Sequence, residues 1–301
     1  MILVKQMFIF LVMMIIGFYM AKKGIVEEKA TNCISWLIVN VANPAMIIYG
    51  SVDGNLDQKT FLFILALSSG MYVSLIVLAE ILIPLFHFKE EQIGVYKVLM
   101  TFSNMGFMGF PIMSAMFGAK SLLYAAVFML PFNLLIYTYG VYRFGGKITL
   151  REILKKCCNT GVIAVILMLV IALCHITLPG VIIQMTSMLS NLTGPLCMII
   201  IGASFVEISL KDSLCDVKLL LFSVLKLIVL PLIIMFFVRH ITENQMLQNV
   251  TFIIVATPCA SMSALLAQQC NGDYFTASKG IAVTTVLSVV TMPFLFMILG
   301  M

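Results

Sequence analysis

A chain of 301 residues that is 62% hydrophobic and 10% charged is not a water-soluble domain, in which about a quarter of residues carry charge. Its net charge of +5 reflects where lysine and arginine fall between apolar runs, a topology signal and not the footprint of a nucleic-acid binder. It has no His-Glu-x-x-His helix, Gly-x-Ser-x-Gly elbow, aspartate-rich pyrophosphate site or Walker A loop, so nothing points to an enzyme or to a metal or other cofactor.

A membrane-spanning helix needs about twenty apolar residues, and ten runs qualify, at approximately 2–21, 30–49, 60–86, 96–116, 121–142, 159–177, 184–206, 218–238, 248–269 and 276–299. The first lacks a small-residue cleavage site and is followed at once by Lys22 and Lys23, so it is expected to be a retained span and not a signal peptide. One set of loops holds Lys22, Lys23, Lys29, Lys89, Lys97, Arg143, Lys147, Arg151, Lys155, Lys156, Lys211, Lys218 and Lys279; the other holds Lys5, Lys59, Lys120 and Arg239. The positive-inside rule then puts both termini outside and the loop from Arg143 to Lys156 in the cytoplasm. Cys157 and Cys158 share that loop, where a disulfide does not persist.

The chain repeats itself. Asn43-Pro-Ala-Met-Ile-Ile48 in the second span matches Gly194-Pro-Leu-Cys-Met-Ile199 in the seventh, and Leu130-Pro-Phe-Asn-Leu-Leu135 in the fifth resembles Met292-Pro-Phe-Leu-Phe-Met297 in the tenth. Five spans per half is an odd number, so the second half enters the membrane from the opposite side, an inverted-topology repeat. The expected fold is an all-α membrane protein of ten transmembrane helices, arranged as two inverted five-helix repeats with crossed broken helices 4 and 9. Residues 1–142 form the first repeat, 143–158 a cytoplasmic connector and 159–301 the second.

The breaks are written into spans four and nine, and paired interruptions in corresponding places of two halves are the sequence pointer to a secondary-transporter binding site. Thr101-Phe-Ser-Asn-Met-Gly-Phe-Met-Gly-Phe-Pro111 and Ala256-Thr-Pro-Cys-Ala-Ser-Met-Ser263 place polar and helix-breaking residues in otherwise apolar segments. In hydrocarbon each unpaired backbone group costs several kcal/mol, so a broken helix survives only where its freed groups meet protein, water or a ligand. Gly106, Gly109, Pro111 and Pro258 are expected to shape the breaks. Ser103, Asn104, Thr257 and Ser261 beside them are candidates to bind a small polar substrate, helped by half-helix N-termini that favour negative charge. The competing reading is that the hydroxyls only repair kinks. Asn43, an amide deep in span two beside Pro44, is a further binding candidate because it needs partners. Its symmetry mate Gly194 does not. Glu80 and Lys226 are the ionisable residues placed well inside spans, at matching depths in spans three and eight. They are candidates to couple protons to transport or, in the simpler reading, to form a static pair.

Ser103-Asn-Met-Gly-Phe-Met-Gly-Phe-Pro111, the Asn-Pro of span two and Ala256-Thr-Pro-Cys-Ala-Ser261 together resemble the auxin efflux carrier family, in the bacterial branch that includes malonate and malate permeases. The resemblance covers the whole chain. It implies a panel of spans one, two, six and seven against a core of three to five and eight to ten. It also implies organic-anion transport by an elevator motion of the core, homodimers formed through the panel, and residence as a multi-pass protein in a bacterial inner (cell) membrane among its lipids. Pro111 and Pro258 take the place of the family's crossover prolines and Asn104 that of its polar crossing residue. The short central loop leaves no room for the regulatory domain of the long plant carriers.

The sequence reading is a secondary active transporter, working by elevator-type alternating access, of a small organic anion such as malonate, malate or an auxin-like acid, with a transmembrane proton gradient as a candidate driving force and the coupling ion left open. The alternatives are a sensor that keeps the transporter fold without flux and a sodium-coupled symporter. The chain has no intramembrane aspartate cluster to serve sodium.

Overall fold

The computed structural model describes residues 2–52, 56–146, 149–208 and 213–301; Lys147 and Lys211, assigned to loops above, lie outside the described residues. Among those described the regular structure is helical: α1 (Leu3–Lys22), α2 (Glu28–Tyr49), α3 (Gln58–Phe86), α4 (Glu90–Thr101), α5 (Met105–Phe117), α6 (Ala119–Arg143), α7 (Leu150–Cys157), α8 (Thr160–Leu173), α9 (Gly180–Ser204), α10 (Val217–Ile241), α11 (Gln245–Ala256), α12 (Ser261–Gln269) and α13 (Tyr274–Ile298). Seven of these are long and apolar enough to cross a membrane, or eight if α7 and α8, bent by 67°, count as one. The candidates at spans four and nine are each two short helices, α4 with α5 and α11 with α12.

The seven long helices carry apolar residues on their outward as well as their buried faces, as lipid demands. In α3, Tyr72, Leu75 and Ala79 recur at helical spacing on the buried face, while Val73, Val77 and Ile81 are exposed on the other. Phe8 and Ile15 of α1 and Phe236 and Phe237 of α10 likewise face outward.

Proline placement explains three of the local distortions, while a further wide turn at Ile136–Gly140 in α6 has no proline after it. Pro44, Pro111 and Pro231 each follow by two residues a single wide turn, at Ile38–Ala42, Met105–Gly109 and Leu225–Val229. Proline has no N–H to give and its ring clashes with the carbonyl four residues back, so the helix opens by one residue and re-bonds five apart. The N–H groups of Asn43, Phe110 and Leu230 accordingly donate to the carbonyls of Ile38, Met105 and Leu225.

Two packing groups can be traced. The first joins α1 to α9 and α2 to both α8 and α9; the second joins α3 to α4 and α6, α10 to α11 and α13, and α4 and α12 to α13; the two groups meet where α2 and α8 pack on α6, α1 on α13, and α1 and α9 on α5. The first group is held backbone to backbone. A Cβ on Gly17 would run into the Ile199 carbonyl of α9, and one on Gly202 into the Met14 carbonyl of α1. Such small-residue contacts drive helix association where lipid removes the hydrophobic effect.

The connector is partly helical. Thr149 Oγ1 accepts from the Glu152 N–H, and the Glu152 carboxylate accepts from the Thr149 N–H at 2.8 Å, a reciprocal cap that starts α7. Lys155 and Lys156 lie in its last turn, where they complement the helix dipole.

Gly17→Ala and Gly202→Ala should each part α1 from α9 and cost about 1–3 kcal/mol, the range for overpacking. Thermal unfolding in detergent checks this, and variants that melt with the wild type would contradict the close packing.

Candidate functional site at the paired helix breaks

The C-terminal end of α4 and that of α11 run out of helix at Phe102 and Thr257, and the extended residues that follow lie antiparallel, with Ser103 opposite Cys259. The Asn104 N–H donates to the Pro258 carbonyl at 2.7 Å and the Ala260 N–H to the Phe102 carbonyl at 3.0 Å. Each break thus supplies the partners that the other lost. A third tie comes from α13, where Thr284 Oγ1 accepts from the Cys259 N–H at 3.2 Å and donates to the Gly280 carbonyl at 2.7 Å.

Side chains complete the junction. Asn104 caps the start of α5, its Oδ1 accepting from the Phe107 N–H at 3.4 Å, and its Nδ2 donates to Ser261 Oγ at 3.1 Å. One amide therefore bridges the first residues of two helices. Ser103 is buried, and its Oγ accepts from Lys226 Nζ at 2.8 Å. Lys226 also donates to the Met100 carbonyl at 3.0 Å. Thr257 is fully buried and donates to the Ile254 carbonyl at 2.8 Å, a kink repair in the register expected from Pro258. Ser261, Gly106 and Phe107 are only partly buried. Asn104 with Ser261 thus lies at the more open side of the junction, whereas Ser103 and Thr257 face its interior.

The other packing group reaches this open side. A Cβ on Gly106 would lie 3.8 Å from Asn43 Nδ2, and one on Gly194 would lie 3.5 Å from Pro111 Cβ. The proline interruptions of α2 and α9 therefore rest against α5. Among the described residues, the buried Asn43 Oδ1, Thr193 Oγ1 and Ser263 Oγ lack hydrogen-bond partners. Each such orphan costs about 1–3 kcal/mol. Gly109, packed on Met105 and Met113, shapes α5 without facing α2 or α9 in this way.

Glu80 and Lys226 do not meet. Glu80 accepts from Lys97 Nζ at 2.7 Å and from the Tyr139 hydroxyl at 2.7 Å, and it pairs with Arg143. Among the described residues Lys226 has no carboxylate in salt-bridge range. Matching depth placed the two residues at one level but said nothing about direction around each helix axis, which turns through 3.6 residues. The expected loop position of Lys97 is also corrected: α4 begins at Glu90, so Lys97 lies two turns inside it and is 8% exposed. Lys97, Tyr139 and Arg143 were missed as site residues because each looked like a boundary residue; the four-residue spacing of Tyr139 and Arg143 at the end of span five was the available signal. Thr284 carried none.

The Glu80 cluster ties α3, α4 and α6 together, and Arg143 also lines a cleft of about 470 Å³ bounded by Glu90, Glu91, Gly94, Asn271 and Asp273. No residue of the breaks lines that cleft. Asn133, by contrast, is structural: its amide donates to the Met129 carbonyl at 2.9 Å and accepts from Asn159 at 3.0 Å.

Glu80→Ala should strand the buried Lys97 charge and cost about 2 kcal/mol, below the figure for fully buried pairs because Glu80 is partly open. Adding Lys97→Met should recover part of that loss. Equal melting of the single and double variants would show that the two charges are not coupled.

Comparison with known proteins gives the chain its relatives. The sequence profile of the family described as "Membrane transport protein" matches residues 2–153 and 143–296. An uncharacterised transporter of Methanocaldococcus jannaschii is 26% identical over 296 residues, covering 93% of each chain. A second, from Methanothermobacter thermautotrophicus, is 22% identical over 289 residues and 94% of each. The resemblance to the auxin efflux carriers therefore holds at the level of the family, and this chain belongs to that family of multi-pass membrane transport proteins.

Proposed function

We propose that this protein is a secondary active transporter of a small organic anion, with its substrate held at the open side of the paired breaks by Asn104, Ser261 and Asn43. The observation that carries the reading is the Asn104–Ser261 bridge across two helix starts, at the place where one packing group meets the other. A site at such a boundary can be carried from one side of a membrane to the other when the groups slide.

Three features support an anion. The N-terminal ends of α5 and α12 begin at the junction, and unsatisfied N–H groups at helix starts attract negative charge. Ala260 precedes α12 with no side chain able to cap it. Lys226 adds the charge of a buried ammonium behind Ser103. Asn43 Oδ1, an acceptor without a partner, fits a hydroxyl or a protonated carboxyl of the substrate.

In this reading the chain crosses the membrane ten times as two inverted five-helix halves, residues 1–142 and 159–301, joined by the connector 143–158. Counting α7 with α8, α4 with α5 and α11 with α12 each as a single crossing, beside the seven long helices, gives that number. The group of α1, α2, α8 and α9 is the static panel and a dimer surface; the other group moves as an elevator. Both termini lie outside, by the positive-inside rule. Ser103 and Thr257 hold the shape of the junction, and Glu80 locks α3, α4 and α6 into the moving body. Malonate, malate and auxin-like acids are the candidate substrates, and the proton gradient is the candidate driving force.

Uptake of radiolabelled malonate and malate into proteoliposomes, with and without an imposed proton gradient, tests the proposal. Saturable uptake that the gradient stimulates and that Asn104→Ala abolishes is expected. Undiminished uptake by a folded Asn104→Ala protein, or no flux of any small organic acid, would overturn it.

A further inference from the structure

The environment of Lys226 is unusual for a lysine. Its side chain is 1% exposed on the wide turn ahead of Pro231, and among the described residues its Nζ meets no carboxylate, only the Met100 carbonyl and Ser103 Oγ. The Met100 carbonyl is an acceptor that the break created. In a continuing helix it would receive the Asn104 N–H, but that N–H is taken by Pro258. It also belongs to the last turn of α4, where carbonyls carry the negative end of the helix dipole. Backbone carbonyls at the end of a half-helix are the ligands with which interrupted helices of secondary transporters hold a coupling cation, and the Ser103 hydroxyl oxygen lies beside this one. Here a nitrogen already sits on them.

We propose that Lys226 is a tethered cation: its ammonium occupies the monovalent-cation position of the break, so that transport needs no bound sodium, and removing the side chain opens that position to a small monovalent cation from solution. The inference rests on the reading of the paired breaks as the transport site. It adds a reason for the lack of an intramembrane aspartate cluster, since a charge fixed to the chain needs no ion-selective cage. It also assigns Lys226 as a positioning residue, which holds Ser103 and the end of α4 in register.

The test is thermal unfolding of the purified full chain in choline, sodium and methylammonium chloride at matched ionic strength. The wild type should melt at one temperature in all three. Lys226→Ala should melt lower in choline and regain several degrees, saturably, in sodium or methylammonium, because a ligand that binds only the folded state raises its stability. Lys226→Met, whose neutral chain fills the space, should melt below the wild type and ignore the cation. A wild type stabilised by sodium, a Lys226→Ala protein that responds to no cation or folds in none of the salts, or a Lys226→Met protein that melts with the wild type would each overturn the proposal. The assay contains no substrate. Failure to find flux would therefore count against the transport reading and leave this result standing.

Discussion

Everything distinctive about this structure depends on one constraint: backbone N–H and C=O groups inside a membrane must find partners within the protein. Two interrupted helices leave such groups open, and the antiparallel pairing of Phe102–Asn104 with Pro258–Ala260 closes them with two hydrogen bonds. Neither break is tenable alone. Each is the other's partner, and the shared junction fixes where four helix ends, those of α4, α5, α11 and α12, must come together. Helix starts and helix ends bring opposite partial charges to that point, so its electrostatics follow from the backbone before any side chain is considered.

The side chains then divide by task. Thr257 and Thr284 return hydrogen bonds to backbone that proline or extension left open. Lys226 and Ser103 settle the carbonyl end of α4. Asn104 and Ser261 span the helix starts on the more open side. The three prolines that follow wide turns extend the same logic outward, because each puts a polar or small residue where a regular helix would have packed: Asn43 on α2, Gly106 and Gly109 on α5, and Lys226 on α10. Glu80 and its partners stand apart from this junction, as a polar knot binding the helices that must keep their mutual positions.

The breaks were legible in the sequence because Asn, Gly and Pro clustered in an apolar run interrupt a helix through their own backbone chemistry, whatever packs around them. The family resemblance rested on those same residues. The full-length helices were legible from hydropathy alone. What was hidden is tertiary register. That Asn104 would bond Ser261, or that Thr284 would reach the Cys259 N–H, depends on how helices rotate against one another, and no local pattern records rotation. The same blindness set Glu80 opposite Lys226 by depth and missed Lys97 and Arg143, because a charge close to a span's end reads as a loop charge until the helix start is known. α4 starts at Glu90, several residues before its apolar run.

The central claim is that a small organic acid binds at the open side of the paired breaks, and site-directed labelling tests it most directly. Ser261 is partly buried at the first position of α12 and bonded to Asn104, so Ser261→Cys, in a background where the native cysteines are replaced, puts a thiol at the proposed contact. The account predicts that a water-soluble thiol reagent modifies this cysteine and that a saturating concentration of the transported acid slows the reaction. Modification at the same rate with and without that acid would contradict it.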